Sequence, residues 1–240
     1  MNNLTFLQMK HFLTCIVLII IHLEITGQEW IITDDFNNIE HQLRRDMITE
    51  TPYIDGSPYL NDEFVSGKII TTDSLLYKNV PLRYNIFNDD MEILIGSSQD
   101  PRVITDPRNY LYFSINERSF SYYTYTERNS AQQGYFEVLN KGYCQVLVRR
   151  RVIFEDREQA RGYADAKPAR FEEMPDQYYL KFGDKIPVEV RLRRRAILNV
   201  FGDKRQEISD FIRDQNLNFR NVDDLVRVAD YYNKLFADQK

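Results

Sequence analysis

Arginine is the residue type in this chain whose spacing most invites chemistry. Arg149, Arg150 and Arg151 are consecutive, and Arg191, Arg193, Arg194 and Arg195 follow about forty residues later. Consecutive residues of a strand point to alternate faces, so Arg150 falls in line with Cys144, Val146, Val148 and Val152. A guanidinium on that apolar, inward-looking face needs a carboxylate partner, and Glu137 or Glu189 can supply it. Arg149 and Arg151 fall on the other face, with Tyr143, Leu147 and Ile153. With Tyr122, Tyr123 and Tyr125 as a stacking surface, they would make an anion site for an acidic glycan, a phosphate or a lipid headgroup. The competing reading of the same arginines is edge-strand protection and structural ion pairing.

Carboxylates occur as pairs: Asp34-Asp35, Asp62-Glu63, Asp89-Asp90, Glu172-Glu173 and Asp223-Asp224. Glycoside hydrolysis needs two such groups facing each other across a bond, roughly 5 to 9.5 Å apart. Each pair also suits a turn, a solvated edge or a helix cap. None matches the spaced oxygen ligands of an EF-hand loop. Neither HExxH nor CxxC occurs, so no metal site is expected. GxGxxG and GxxxxGK[ST] are absent too, which excludes nucleotide binding through those motifs, and no cofactor is implied. The net charge of −5 leaves no footprint for nucleic acid.

The elements that would position these groups read as an α+β fold: an antiparallel sheet, curved or sandwich-like, followed by three C-terminal helices. Residues 82–87 alternate, with Leu82, Tyr84 and Ile86 on one side. Asn88-Asp89-Asp90 turns the chain, and Met91, Ile93 and Ile95 resume the alternation. A short strand is expected over 102–105, hairpins over 110–125 and 134–154, a long polar connection over 155–175, and strands over 177–182 and 186–190. Helical spacing then takes over at Ile197, Leu198 and Phe201, and again at Ile208, Phe211 and Ile212. A third helix carries Leu225, Val228, Ala229, Tyr232 and Phe236. Asp203 with Gln206, and Asn221 with Asp224, resemble capping boxes before the second and third of these helices. The expected organisation is an export segment at 1–27, a lead-in at 28–56, a β region at 57–190 and a helical region at 191–240 packed on the sheet. The lead-in reads as a short helix beginning at Asp35, or as an arm that adds to the sheet with Trp30 as its anchor.

Residues 12–23 form an apolar run of twelve preceded by Lys10. A spanning helix needs about 20 apolar residues, so the run suits a signal peptide, with cleavage after Gly27. Met9-Lys10 makes a more typical start for such a segment than Met1. An uncleaved signal anchor is the alternative, and membrane contact is expected only through that segment. Loss of residues 1–27 leaves Cys144 and His41 as the sole cysteine and histidine. An intramolecular disulfide is then impossible, and Ser-His-Asp or Cys-His catalysis would have to rest on His41 alone.

The stretches GSPYLNDEF at 56–64, YKNVPLRYNIFNDDMEI at 77–93 and GYFEVL at 134–139, with the C-terminal DYYNKLF, resemble exported Bacteroidetes proteins that have no assigned activity. The resemblance implies an envelope, periplasmic or secreted location in a Gram-negative bacterium, and it brings no catalytic residues. The expected function is a non-enzymatic binding or structural interaction module. Its partner would be an envelope protein, an anionic glycan or a lipid. The alternatives are a hydrolase using paired carboxylates on a glycan and a carrier of a lipid or other hydrophobic ligand.

Overall fold

Two-residue turns build the sheet. Asn116-Glu117 (φ +48° and +66°) and Arg128-Asn129 (φ +48° and +64°) each place two successive residues in the left-handed region, as tight antiparallel hairpins require. They join β6 (Tyr110–Ile115) to β7 (Arg118–Glu127) and β7 to β8 (Ser130–Val138). The structure, a computed structural model, describes residues 54–96, 100–158 and 167–237. The export segment, the lead-in helix, Trp30 and His41 lie outside the described residues.

The remaining strands are β1 (Ile54–Asp55), β2 (Val65–Thr71), β3 (Leu76–Asn85), β4 (Asp90–Ile93), β5 (Arg102–Val103), β9 (Cys144–Glu155), β10 (Ala169–Phe182) and β11 (Val188–Glu189). They form one open sheet in the order β1-β10-β9-β8-β7-β6-β2-β3-β4-β5, with β11 also on β10. All neighbours are antiparallel except β1, which pairs parallel to the start of β10. Helices α1 (Arg194–Val200), α2 (Arg205–Asp214) and α3 (Asp223–Ala237) close the described chain. The fold is therefore α+β, as the residue pattern predicts.

Several boundaries differ from that pattern, each for a local reason. β10 starts at Ala169, so the last third of the polar segment expected as a connection is strand. Its exposed and half-exposed acids, Glu172 and Glu173, read as loop because the strand lies near a sheet edge. β8 starts at Ser130, because Ala131, Gln132 and Gln133 extend a solvated hairpin past the apolar part of the strand. Ile54-Asp55, inside the expected lead-in, joins the sheet. The helix starts differ from the two expected capping boxes. α2 begins at Arg205 after a 3-10 turn over Gly202–Lys204. Asp224 accepts the N–H groups of Asn218 and Phe219 (3.0 and 2.8 Å), so it ties down the turn before α3.

The sheet buries both faces. Cys144 and Val146 on β9 and Leu180 on β10 pack against Ile197, Ile208, Ile212, Leu225 and Val228 of the helices. Burying an aliphatic side chain of this size is worth about 1.5–3 kcal/mol, and this stripe fixes the helices to one end of the sheet. Farther along, the sheet curls over itself. Tyr84 of β3 meets Phe120 of β7 and Tyr135 of β8 at ring distances of 5.5 and 5.6 Å, although β2 and β6 separate these strands in the sheet. The opposite face carries its own cluster of Tyr125, Phe136, Leu147 and Tyr179. Leu147 is therefore as buried as its neighbours Val146 and Val148. Strand alternation separates the two faces correctly but does not make one of them outer.

Cys144 is fully buried, and burial pushes its thiol up to about 12. It should stay unmodified by iodoacetamide at pH 8 in the folded Cys15→Ser protein and react stoichiometrically in denaturant. Mass spectrometry checks this, and labelling of the folded state at a free-thiol rate would contradict the burial.

Candidate functional site

Besides the exposed cluster of Arg170 with Glu155 and Glu172, arginines and carboxylates of the sheet meet in three partly buried ion-pair networks among the described residues. In the first, Arg83 on β3 donates from Nε and Nη2 to Glu92 on β4 (3.1 and 2.7 Å). Its guanidinium also lies over the rings of Tyr59 (3.8 Å) and Phe64 (4.4 Å).

The second network holds Arg150, whose partner is Glu137, one of the two carboxylates its strand position allows. Nη2 donates to Glu137 at 2.8 Å, and Nη1 donates to Asp176 at 2.9 Å. Arg118 grips the same Glu137 with two bonds of 2.7 and 2.6 Å. Burial alone would raise the Glu137 carboxyl, but the bonds from Arg118 and Arg150 more than offset it and hold the group below its ordinary range. Asp176 sits in a bulge of β10 between Met174 and Gln177, and burial raises it, with Arg150 pulling only partly the other way. Glu189, the other expected partner, is exposed on β11.

The third network depends on a split in the sheet. β8 pairs with β9 only at Glu137↔Val148 and Val138↔Leu147, after which the strands part. The turn between β3 and β4 reaches into the gap. Asp89 accepts the Tyr84 hydroxyl (2.6 Å), the Tyr135 N–H (3.3 Å) and Arg149 Nη1 (3.0 Å). Arg149 in turn donates to the Tyr135 carbonyl (3.3 Å) and lies over the Tyr125 ring at 4.9 Å. One ion pair thus satisfies the backbone groups of Tyr135 at the place where the ladder opens. Burial first, and then the Asp89 charge, keep the Tyr84 phenol protonated.

Gly134 leaves the room that this arrangement needs. A Cβ there would lie 2.2 Å from Arg149 Nη1 and 2.5 Å from Asp89 Oδ2. Gly134→Ala should cost about 1–3 kcal/mol by overpacking, read as a lower midpoint in urea. An unchanged midpoint would mean that the ion pair moves aside freely.

The residues proposed from sequence as one anion site are therefore dispersed. Arg149 is committed to Asp89. Tyr125 is 2 % exposed and packs against Phe136 and Tyr179, so it offers no stacking face. Tyr122 points to the opposite face and packs edge-on against Tyr135 (4.9 Å). Arg151 lines a cleft of about 200 Å³ beside Arg150, Asp176 and Ile86. Only Tyr123 of the five borders the larger opening described next.

That opening is a half-open groove of about 440 Å³ across β6, β7, β8 and the start of β9. A bulge in β6 shapes one wall: Ile70 pairs with Tyr112 and Thr71 with Tyr110, leaving Leu111 as the extra residue. Tyr110 is thereby turned to the core beside Phe113 (5.2 Å), and Leu111 is 50 % exposed at the groove. Tyr112, Ser119, Ser121, Tyr123, Val138 and Gln145 line the rest. The far end is anchored to α3. Asn140 donates to Asp230 (2.8 Å), and Asn233 bonds both main-chain groups of Cys144 (2.7 and 2.9 Å). The bulge and the Tyr112 side of the groove give no period-2 signal, which is why strand patterning finds Tyr123 and misses the others.

Much of the polar lining is uncommitted. The Ser119 and Tyr112 hydroxyls and the Gln145 Nε2 have no hydrogen-bond partner among the described residues, and the same holds for the charged ends of Glu117 and Lys141 at the groove. Among the described residues, no three His, Cys, Asp or Glu side chains lie close enough to hold a metal ion, and no helix is long and apolar enough to cross a membrane. Comparisons with protein families, with curated proteins and with solved structures return no match.

Proposed function

We propose that the protein is an exported, non-enzymatic binding module of the cell envelope, with the groove across β6–β9 as its working surface. The observation that carries this reading is the contrast between the two kinds of polar group on the sheet. Glu92, Glu137 and Asp89 are held by arginines inside the frame, whereas the Ser119 and Tyr112 hydroxyls and the Gln145 Nε2 stand in an opening of about 440 Å³ without a side-chain or main-chain partner among the described residues. Buried polar groups that are satisfied keep a fold rigid, and a few accessible polar groups in a concave opening can orient a ligand. The engaged carboxylates also weigh against a paired-acid hydrolase, and the mixed, half-open lining weighs against a carrier of hydrophobic cargo. Export rests on the apolar run at 12–23 and on the resemblance to envelope proteins.

A second reading has one observation of its own. β4 covers β3 only from Leu82 to Asn85, so the outer edge of β3 before Pro81 has no neighbouring strand among the described residues. Leu75, Leu76 and Tyr77 are 47–50 % exposed there. Such an edge can accept a strand from a partner protein. A photo-crosslinking residue placed at Leu111 in one variant and at Tyr77 in another distinguishes the two. In intact envelope the groove reading expects capture at Leu111. Capture at Tyr77 alone favours strand addition, and N-terminal sequencing of the same exported material should begin at Gln28.

A further inference from the structure

We infer that the groove binds a neutral oligosaccharide chain, an assignment that rests on the groove being the working surface. The lining combines the three features that sugar recognition requires. Tyr112 and Tyr123 line the groove, and aromatic side chains of this kind can take the C–H face of a pyranose as they take other apolar groups. The Ser119 and Tyr112 hydroxyls and the Gln145 amide line the same groove and offer donors and acceptors to sugar hydroxyls. Gln145 is already oriented by the Tyr123 hydroxyl, which approaches its Oε1 at 3.5 Å and leaves the NH₂ group pointing elsewhere.

Charge argues for a neutral chain. The lining has one carboxylate, Glu117, and one ammonium, Lys141, so the charges of the lining residues balance. Lys181 lies over the Tyr123 ring at 5.0 Å, but its ammonium is bound to the Gly183 carbonyl, and burial lowers its pKa. Arg83, Arg118, Arg149 and Arg150 are held by carboxylates elsewhere in the sheet, and Arg151 lines the separate cleft beside Arg150. The shape argues for a chain over a free monosaccharide, because a half-open groove lets a polymer enter and leave, whereas a single sugar is bound more tightly by an enclosed pocket.

Titration calorimetry of the purified protein against cellohexaose, maltohexaose, xylohexaose and chitohexaose, with hexagalacturonate as the anionic comparison, tests this. At least one neutral hexasaccharide should bind, with hexagalacturonate at least tenfold weaker. Tyr123→Ala should weaken binding about tenfold through loss of a stacking face. Tyr123 also packs near Phe136, so Gln145→Ala, which disturbs no core contact, provides an independent variant and should weaken binding severalfold at an unchanged melting temperature. Two results would overturn the assignment: no binding of any neutral hexasaccharide, or binding that both substitutions leave intact. Capture of a protein at Leu111 alongside failed sugar binding would reject the oligosaccharide and keep the groove. Failure of both would reject the groove as well.

Discussion

Asp89→Ala should destabilise the protein by about 3–5 kcal/mol, the range for removing one partner from a buried ion pair. Its carboxylate accepts three hydrogen bonds from three parts of the sheet. Without it, the Arg149 charge stays between β8 and β9 with only the Tyr135 carbonyl, and the Tyr84 hydroxyl and the Tyr135 N–H lose their acceptor. At the size of this chain such a loss lowers the melting temperature by roughly 6–20 °C. The double variant Asp89→Ala/Arg149→Leu should recover much of the loss, because the unpaired charge goes with its partner. Additive losses in that cycle would mean that the two side chains act independently.

Glu137→Gln carries the second large effect. One carboxylate, 6 % exposed, bridges Arg118 and Arg150, so neutralising it leaves Arg118 without a carboxylate and Arg150 with Asp176 alone, at a cost of about 3–5 kcal/mol. The pH dependence follows from the direction of the shift. The folded-state pKa of Glu137 is lowered, so its stabilisation is complete above the unfolded carboxylate value, about 4.3, and is lost as pH falls through the lower folded value. Asp176 is shifted upward, so its ionisation opposes folding above the unfolded value and that opposition disappears on acidification. Urea midpoints between pH 3 and 7 should therefore fall with acid in the native protein and change less in Glu137→Gln. Parallel curves for the two proteins would remove Glu137 from the account.

The parts of this architecture that local patterning reveals are those that depend on neighbours in sequence. The hairpin through Leu82, Tyr84 and Met91 is readable because its apolar residues alternate and its turn is polar. The Arg150–Glu137 pair is readable because a basic residue on an apolar face demands an acid on the adjacent strand. The Arg149–Asp89 pair is not, since its members are 60 residues apart and meet only where β8 and β9 separate. Tyr125 looks like an available ring in sequence because alternation assigns it a face without saying what covers that face. The groove is hidden for a similar reason: the bulge at Leu111 breaks the period that would have placed Tyr112 beside Tyr123.

Hydroxyl-radical footprinting of the protein in its own envelope fraction, compared with the purified protein in buffer, tests the role of the groove most directly. The account predicts that Leu111, Tyr112 and Tyr123 lose labelling in the envelope while Leu75, Leu76 and Tyr77 keep theirs. Unchanged labelling at the groove, with protection appearing along the β3 edge instead, would contradict it.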